Sequence, residues 1–156
     1  QVRAGADGVQ LFESWAANID EPAFEAWVIE PNRRIVEKVR AVVPHVGIIG
    51  FPRGAGGMVG AYAERTGVDM VGLDQMQALR FANSAVPVAM GVQGNLDPAA
   101  CFAPFEVVAR KADEVLKRGG GRGHIFNLGH GVLPETDPDV LKRLVDHVHA
   151  WVPPGD

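Results

Sequence analysis

The sequence predicts an α/β protein built on a parallel sheet, and three observations carry that prediction. Five short apolar runs recur along the 156 residues, near-continuous rather than alternating, as expected of strands covered on both faces. The segments between them carry a helical period. Polar residues gather just after every apolar run, at the carboxyl ends where parallel α/β proteins place their ligands. At roughly 30 residues per βα unit, the chain holds five units. A complete eight-stranded α/β barrel needs about 250 residues, so two architectures remain open: an open doubly wound sheet, or about the second half of a barrel.

The five predicted strands are Gly8–Glu13, Val46–Phe51, Met70–Leu73, Val88–Val92 and Ile125–Leu128. Between the first two, Ile35, Val36, Val39 and Val43 form an apolar stripe, with Arg33, Arg34, Glu37, Lys38 and Arg40 on the wet side. That helix is expected from Pro31, a suitable first helical residue, to Val43, with Pro44 at the exit. Glu21 to Val28 is expected to form a further short helix. Met58 to Arg65 is a shorter one, stopped by Gly67. Residues 75–86 could form another, and Pro104 to Arg118 is amphipathic and runs into Gly119-Gly120-Gly121. Asp137-Pro138 reads as a cap followed by a proline that starts the last helix, expected to reach Trp151 before Pro153-Pro154-Gly155 ends it.

Composition narrows the function classes. A net charge of −4 gives no basic footprint for nucleic acid or an anionic membrane. No apolar run reaches the ~18 residues a membrane span requires. A single cysteine, Cys101, excludes an intrachain disulfide framework and fits a reducing, cytoplasmic setting. No signal peptide is recognisable. The chain does not begin with Met, and the expectation is a fragment of a longer protein covering residues 1–156 as one domain portion. The 19 glycines cluster at the ends of apolar runs, which points to turns rather than low complexity.

The strand exits supply the candidate chemistry: Phe12-Glu13-Ser14-Trp15, Phe51-Pro52-Arg53, Asp74-Gln75, Gln93 to Pro98, and Gly129-His130-Gly131. Glycines on both sides of His130 can take positive φ or admit close approach to the backbone, so this stretch turns sharply and exposes the imidazole. Ser14 either caps its turn or binds a ligand, and Phe12 is either core or a pocket wall. Gly54-Ala-Gly-Gly57 could cradle an anion but lacks the Lys-Ser or Lys-Thr of a phosphate loop. Arg53 and Asp74 could each pair locally or with a ligand. Asp97 before Pro98 is a natural cap, and Asn95 is expected to satisfy loop backbone. His147 and His149 are expected on the helix surface, and Trp15, Trp27 and Trp151 in packing. Cys101 has no partner spacing for zinc. Ser14 and His130 fit binders of an anionic group better than a nucleophile and its base, because no nucleophile elbow accompanies them.

The strings Gln10-Leu-Phe-Glu-Ser-Trp-Ala16, Val71-Gly-Leu-Asp74, Val92-Gln-Gly-Asn-Leu-Asp-Pro98 and His124-Ile-Phe-Asn-Leu-Gly-His-Gly-Val132 resemble, in this order, the uroporphyrinogen decarboxylase family of tetrapyrrole synthesis. The resemblance spans nearly the whole chain. It implies the carboxyl-terminal part, about strands four to eight, of a (β/α)8 TIM barrel, with the amino-terminal half outside this sequence. It also implies an enzyme that removes carbon dioxide from the four acetate side chains of uroporphyrinogen III, giving coproporphyrinogen III for heme, with neither metal nor organic cofactor. Ser14 and His130 would then be contacts to substrate carboxylates and Phe12 a pocket wall. The family's aspartate, which binds the pyrrole N–H groups, and its carboxylate-holding arginines would lie outside this chain. No catalytic residue is therefore expected within it, and the chain alone is expected to be inactive. The full enzyme would be a homodimer.

Two departures stand out. Gln75 occupies a position where the family often has Trp, and Phe51-Pro-Arg-Gly-Ala-Gly56 replaces a Lys-containing loop of some members. Two other readings compete. A cobalamin-linked methyltransferase relative would need a His-x-Cys pair and a later Cys, which this chain lacks. A non-catalytic half-barrel module would expose apolar surface and self-associate.

Overall fold

A computed structural model describes residues 1–119 and 123–153. Its centre is a five-stranded parallel sheet in the order β1-β2-β3-β4-β5. The strands are β1 Gly8–Glu13, β2 Gly47–Pro52, β3 Met70–Gly72, β4 Gly91–Gln93 and β5 His124–Ile125. This order decides between the two architectures. A doubly wound sheet reverses direction at a switch point. Here each strand pairs with its successor, so right-handed crossovers all step the same way and lay the helices on one face. The other face stays open, as on the inner side of a barrel.

The pleat assigns residues to these faces. Ile48, Val71 and Val92, which are neighbours or near neighbours in the register, are fully buried on the helix side. Gln10, Phe12, Phe51 and Gln93 point to the other side. In a flat sheet β1 and β4 would lie roughly 14 Å apart. Yet Gln93 Nε2 donates to Gln10 Oε1 at 3.1 Å. The sheet therefore curls, with these two amides on its concave face.

The helices follow the sequence pattern with informative differences. Residues 21–42 form one continuous rod: α1 Glu21–Phe24, a π-helical segment Glu25–Ile29 and α2 Glu30–Val42. Pro31 sits inside this rod rather than starting it. A proline there cannot donate to the carbonyl four residues back and crowds it, and the widened π turn just before it accommodates both effects. Asn32 Nδ2 donates to Val28 O at 2.8 Å, and Tyr62 Oη donates to Asn32 Oδ1 at 3.1 Å, tying the rod to α3. Glu30 bonds Arg33 and Arg34, and these two cations hold its carboxyl down at about 2.

Helix α3, Val59–Thr66, ends at Gly67 with φ 77°, the left-handed cap expected of it. Helix α4 covers Leu79–Ala85, the later part of the 75–86 stretch. Helix α5 runs Phe105–Gly119, and the expected stop at Gly120-Gly121 lies outside the described residues. Helix α6, Pro138–His149, opens under an Asp137 carboxylate that accepts from Asp139 N at 2.9 Å. It stops short of Trp151, and the expected Pro154-Gly155 terminator lies outside the described residues. Trp15 and Trp27 are exposed rather than packed. Residues 88–90 are a turn rather than the start of β4, with Met90 N donating to Pro87 O. Among the described residues no helix is long and apolar enough to cross a membrane.

Candidate functional site

The concave face opens at the carboxyl ends of the strands into a cleft of about 340 Å³. Phe12 and Ser14 from β1 and its exit line one side, and His130 and Gly131 from the exit of β5 line the other. Gln93 and Asn127 lie between them. The structure thus brings together Phe12, Ser14 and His130, from opposite ends of the chain. Phe12 is 69% exposed, a wall of this cleft rather than core. Its ring meets Phe51 edge to face, with centroids 6.1 Å apart. That arrangement is favourable for aromatic pairs.

The His130 loop is stitched to the neighbouring exit. Gly129 N donates to Leu96 O at 2.7 Å, and Leu96 N donates to Asn127 O at 3.0 Å. Neither Gly129 nor Gly131 has positive φ, so the conformational reading of the two glycines does not hold. What Gly129 provides is proximity. A Cβ there would lie 2.8 Å from Gln75 Cα and 2.9 Å from the Asp74 carbonyl carbon. Among the described residues nothing lies within 4 Å of a Cβ at Gly131.

Gly131 N donates to His130 Nδ1 at 2.6 Å. With Nδ1 accepting, the neutral ring carries its proton on Nε2, so His130 is an N–H donor at that nitrogen. Asn127 Oδ1 accepts from Leu128 N at 2.8 Å, and among the described residues no acceptor takes its amide protons. Among the described residues no Lys, Arg, Asp or Glu lines the cleft. It is a set of neutral donors beside an aromatic wall, suited to holding a carboxylate without a fixed cation.

The remaining candidates build the frame. The buried Asp74 carboxylate accepts from Gly54 N at 2.6 Å and Met76 N at 2.7 Å. The glycine-rich loop after β2 therefore cradles an anion from its own chain. Asn95 Nδ2 donates to Asp74 O at 2.8 Å and Gln77 O at 2.6 Å, joining two strand exits rather than satisfying its own loop. Asp97 caps the turn Pro98–Phe102 by accepting from Ala99 N. Arg53 Nη1 donates to Ser14 O at 3.5 Å, its one hydrogen bond among the described residues. Gln75 contributes backbone against Gly129, and its buried Oε1 has no hydrogen-bond partner among the described residues.

His147 is not plain surface, because its Nε2 lies 2.8 Å from Asp113 Oδ1 and joins α6 to α5. His124 lies on the helix side, its Nε2 2.7 Å from Gly94 O. Burial pushes its imidazole below the usual value, against the opposing pull of that carbonyl. Burial, with Asp97 nearby, raises the Cys101 thiol. Among the described residues no group of three His, Cys, Asp or Glu is placed to hold a metal.

The sequence reading missed Gln10 and Asn127 and gave Gln93 no role. The signal was there: Gln10 is polar inside an apolar run and shares strand parity with Phe12.

Consecutive strand order, helices on one face and a cleft at the carboxyl ends define a segment of a (β/α)8 barrel carrying that fold's ligand-binding face. Residues 1–151 match the family described as Uroporphyrinogen decarboxylase (URO-D). The chain belongs to this family. It is 45% identical over 150 residues to a protein of Sphingopyxis alaskensis named uroporphyrinogen decarboxylase, covering 96% of this chain and 44% of that protein. Proteins of the same name from Rhizorhabdus wittichii and Brucella canis are 45% and 46% identical over the same shares. The chain thus spans less than half the length of these relatives.

Proposed function

We propose that this chain supplies one wall of a uroporphyrinogen decarboxylase, a carboxy-lyase acting on the acetate side chains of an acidic tetrapyrrole without metal or organic cofactor. The observation that carries the reading is the convergence of Phe12, Ser14 and His130 on one uncharged cleft. At about 340 Å³ the cleft is at the low end of small-molecule sites, roughly 300–1,000 Å³. That size suits one pyrrole arm of the macrocycle, with the rest of the ring held by protein outside this chain.

The chemistry needs an electron sink. Protonation of a pyrrole ring carbon makes the ring cationic. The C–C bond to the acetate carboxylate then breaks, its electron pair flows into the ring and carbon dioxide leaves. A proton delivered to the exocyclic carbon gives the methyl group, and loss of the proton first added to the ring carbon restores the neutral pyrrole. In this scheme His130 Nε2–H and the Ser14 hydroxyl hold carboxylate oxygens, and Phe12 keeps water from the reacting arm. The aspartate that the family resemblance implies, outside this chain, faces the ring nitrogens. The full protein acts as a cytoplasmic homodimer, and the chain alone does not turn over.

The test is anaerobic incubation with uroporphyrinogen, followed by oxidation and chromatographic separation of the porphyrins. The chain alone gives no coproporphyrin. The chain mixed with the segment of the Sphingopyxis alaskensis relative that it does not cover does give it. Hydrogen bonds to charged groups contribute about 1.5–3 kcal/mol, so His130→Asn in the mixture lowers turnover roughly tenfold to a hundredfold. Full turnover by that variant would remove His130 from the site.

A further inference from the structure

A polar recess lies on the helix side of the sheet, between α4 and α5 and beside the exits of β3 and β4. It measures about 200 Å³ and shares no lining residue with the cleft. The layer between helices and sheet is apolar at Val71, Val92 and Val108. At this recess it holds three carboxamides instead. Gln77 and Asn95 are only 8% and 9% exposed. Asn95 spends its Nδ2 on Asp74 O and Gln77 O, so its Oδ1 is left to accept. Gln75 Oε1 is buried with no donor among the described residues, and an unpaired buried acceptor is unfavourable. The rim is charged. Lys111 on α5 has no ion pair or hydrogen bond among the described residues. Arg118 pairs with Glu114 at 3.3 Å. Asp97 Oδ1 accepts from Ala99 N, and among the described residues no donor reaches its other oxygen.

We infer that this recess binds a small zwitterion, an amino acid of a few carbon atoms, with its carboxylate on Lys111 and its ammonium group on Asn95, Asp97 and Gln75. Charge decides the class. Two cations and two carboxylates line the recess. A lone anion or a lone cation meets repulsion there as well as attraction, whereas a ligand carrying both signs is complementary at both ends. The two ends are separated by the fold: the acceptors sit at the β3 and β4 exits, and the unpaired ammonium sits on α5. Size sets the length, because about 200 Å³ is below the roughly 300 Å³ at which pockets for drug-sized ligands begin. A turn of the Gln75 amide toward the ligand gives its Oε1 the donor it lacks. Gln75 is also where this chain departs from the Trp common in its family, and the larger indole would take up space that glutamine leaves. The inference is independent of the carboxylate reading of the cleft.

The test titrates glycine and β-alanine into the full isotope-labelled chain by NMR, which also reports whether each variant is folded. Propionate and ethylammonium, which each carry one of the two charges, are the comparison probes. Binding is read from the side-chain amide signals of Gln75, Gln77 and Asn95. The better zwitterion binds roughly tenfold to a hundredfold more tightly than either single-charge probe, the value of one hydrogen bond to a charged group. Lys111→Met, a change at an exposed side chain, brings the zwitterion down to the level of ethylammonium without weakening ethylammonium. Asp97→Asn, which keeps an oxygen for Ala99 N, brings it down to the level of propionate without weakening propionate. Gln75→Trp fills the recess and removes binding of every probe there, while His130→Asn, in the cleft, changes none of it. If Asp97→Asn or Gln75→Trp does not fold, Lys111→Met carries the test. The proposal is overturned by equal binding of zwitterions and single-charge probes, by amide signals that respond to neither zwitterion, or by zwitterion binding that Lys111→Met leaves unchanged.

Discussion

The two glycines beside His130 predict opposite responses to the same substitution. A Cβ added at Gly129 would sit 2.8 Å from Gln75 Cα and 2.9 Å from the Asp74 carbonyl carbon. Gln75 N lies closer still, and non-bonded heavy atoms pack best at about 3.5–4.0 Å, so the loop or the β3 exit must give way by about 1 Å or more. All three neighbours are backbone atoms, and Asp74 is itself pinned by Gly54 N and Met76 N. The yielding part is therefore the His130 loop. Forced overpacking of this kind usually destabilises by about 1–3 kcal/mol. At about 2–4 °C per kcal/mol for a chain of this size, Gly129→Ala should lower Tm by roughly 2–12 °C. Gly131 has open space around it and no positive φ, so alanine only restricts the unfolded chain. Gly131→Ala should be neutral or stabilising, by up to about 1 kcal/mol. The assay is thermal melting by circular dichroism, paired with turnover in the reconstituted mixture. Gly129→Ala should also lower that turnover, because it moves His130. Equal melting temperatures for the two variants would refute the close-approach argument.

Three further outcomes follow from the frame. Asp74→Ala strands two backbone N–H groups and should cost about 2–5 kcal/mol, read as a lower urea midpoint at unchanged slope. Tyr62→Phe leaves the Asn32 Oδ1 without its donor in a buried site, and should destabilise by about 1–2 kcal/mol, checked by the same titration. His124 has its pKa lowered by burial, so the unfolded chain takes up a proton at higher pH than the folded one does. Its contribution is complete above the unfolded value, about 6.5, and is lost as pH falls below it. The urea midpoint should therefore drop between pH 7.5 and 5.5 by more in wild type than in His124→Gln.

Much of the fold was legible because parallel strands have a strong local signal. β1 matches its apolar run residue for residue, and the caps at Asp97, Asp137 and Gly67 follow from short-range chemistry. What escaped is non-local. Pro31 looks like a helix start, and only packing of the preceding turn onto the core makes the rod continuous through it. Val88 has the composition of a strand but is 87% exposed in a turn. Asp74 could have paired with anything; its partner, Gly54 N, lies 20 residues away and is chosen by strand order. The candidate site was legible at Phe12, Ser14 and His130 because polar or glycine punctuation marks strand exits. Gln10 and Gln93 were not, because their meaning depends on the sheet being curled.

That curl is also the link between fold and chemistry. Among the described residues no fixed charge lines the cleft, so recognition of the proposed ligand would depend on the direction of neutral dipoles. Direction is set by the sheet: β1 and β4 must approach before Gln10 can hold Gln93, and the β5 exit must bond Leu96 before His130 faces Phe12 and Ser14. A cation would tolerate a loose loop, because Coulomb attraction varies slowly with distance and angle. A hydrogen bond weakens steeply when misaligned. On the proposed reading, a carboxylate site made of neutral donors demands a stiff scaffold, and the buried polar groups that join one strand exit to the next supply one. Asn95 bridges to Asp74 and Gln77, Asp74 bridges to Gly54, and Gly129 bonds Leu96. Loosening any of these should reduce ligand selectivity before it unfolds the chain.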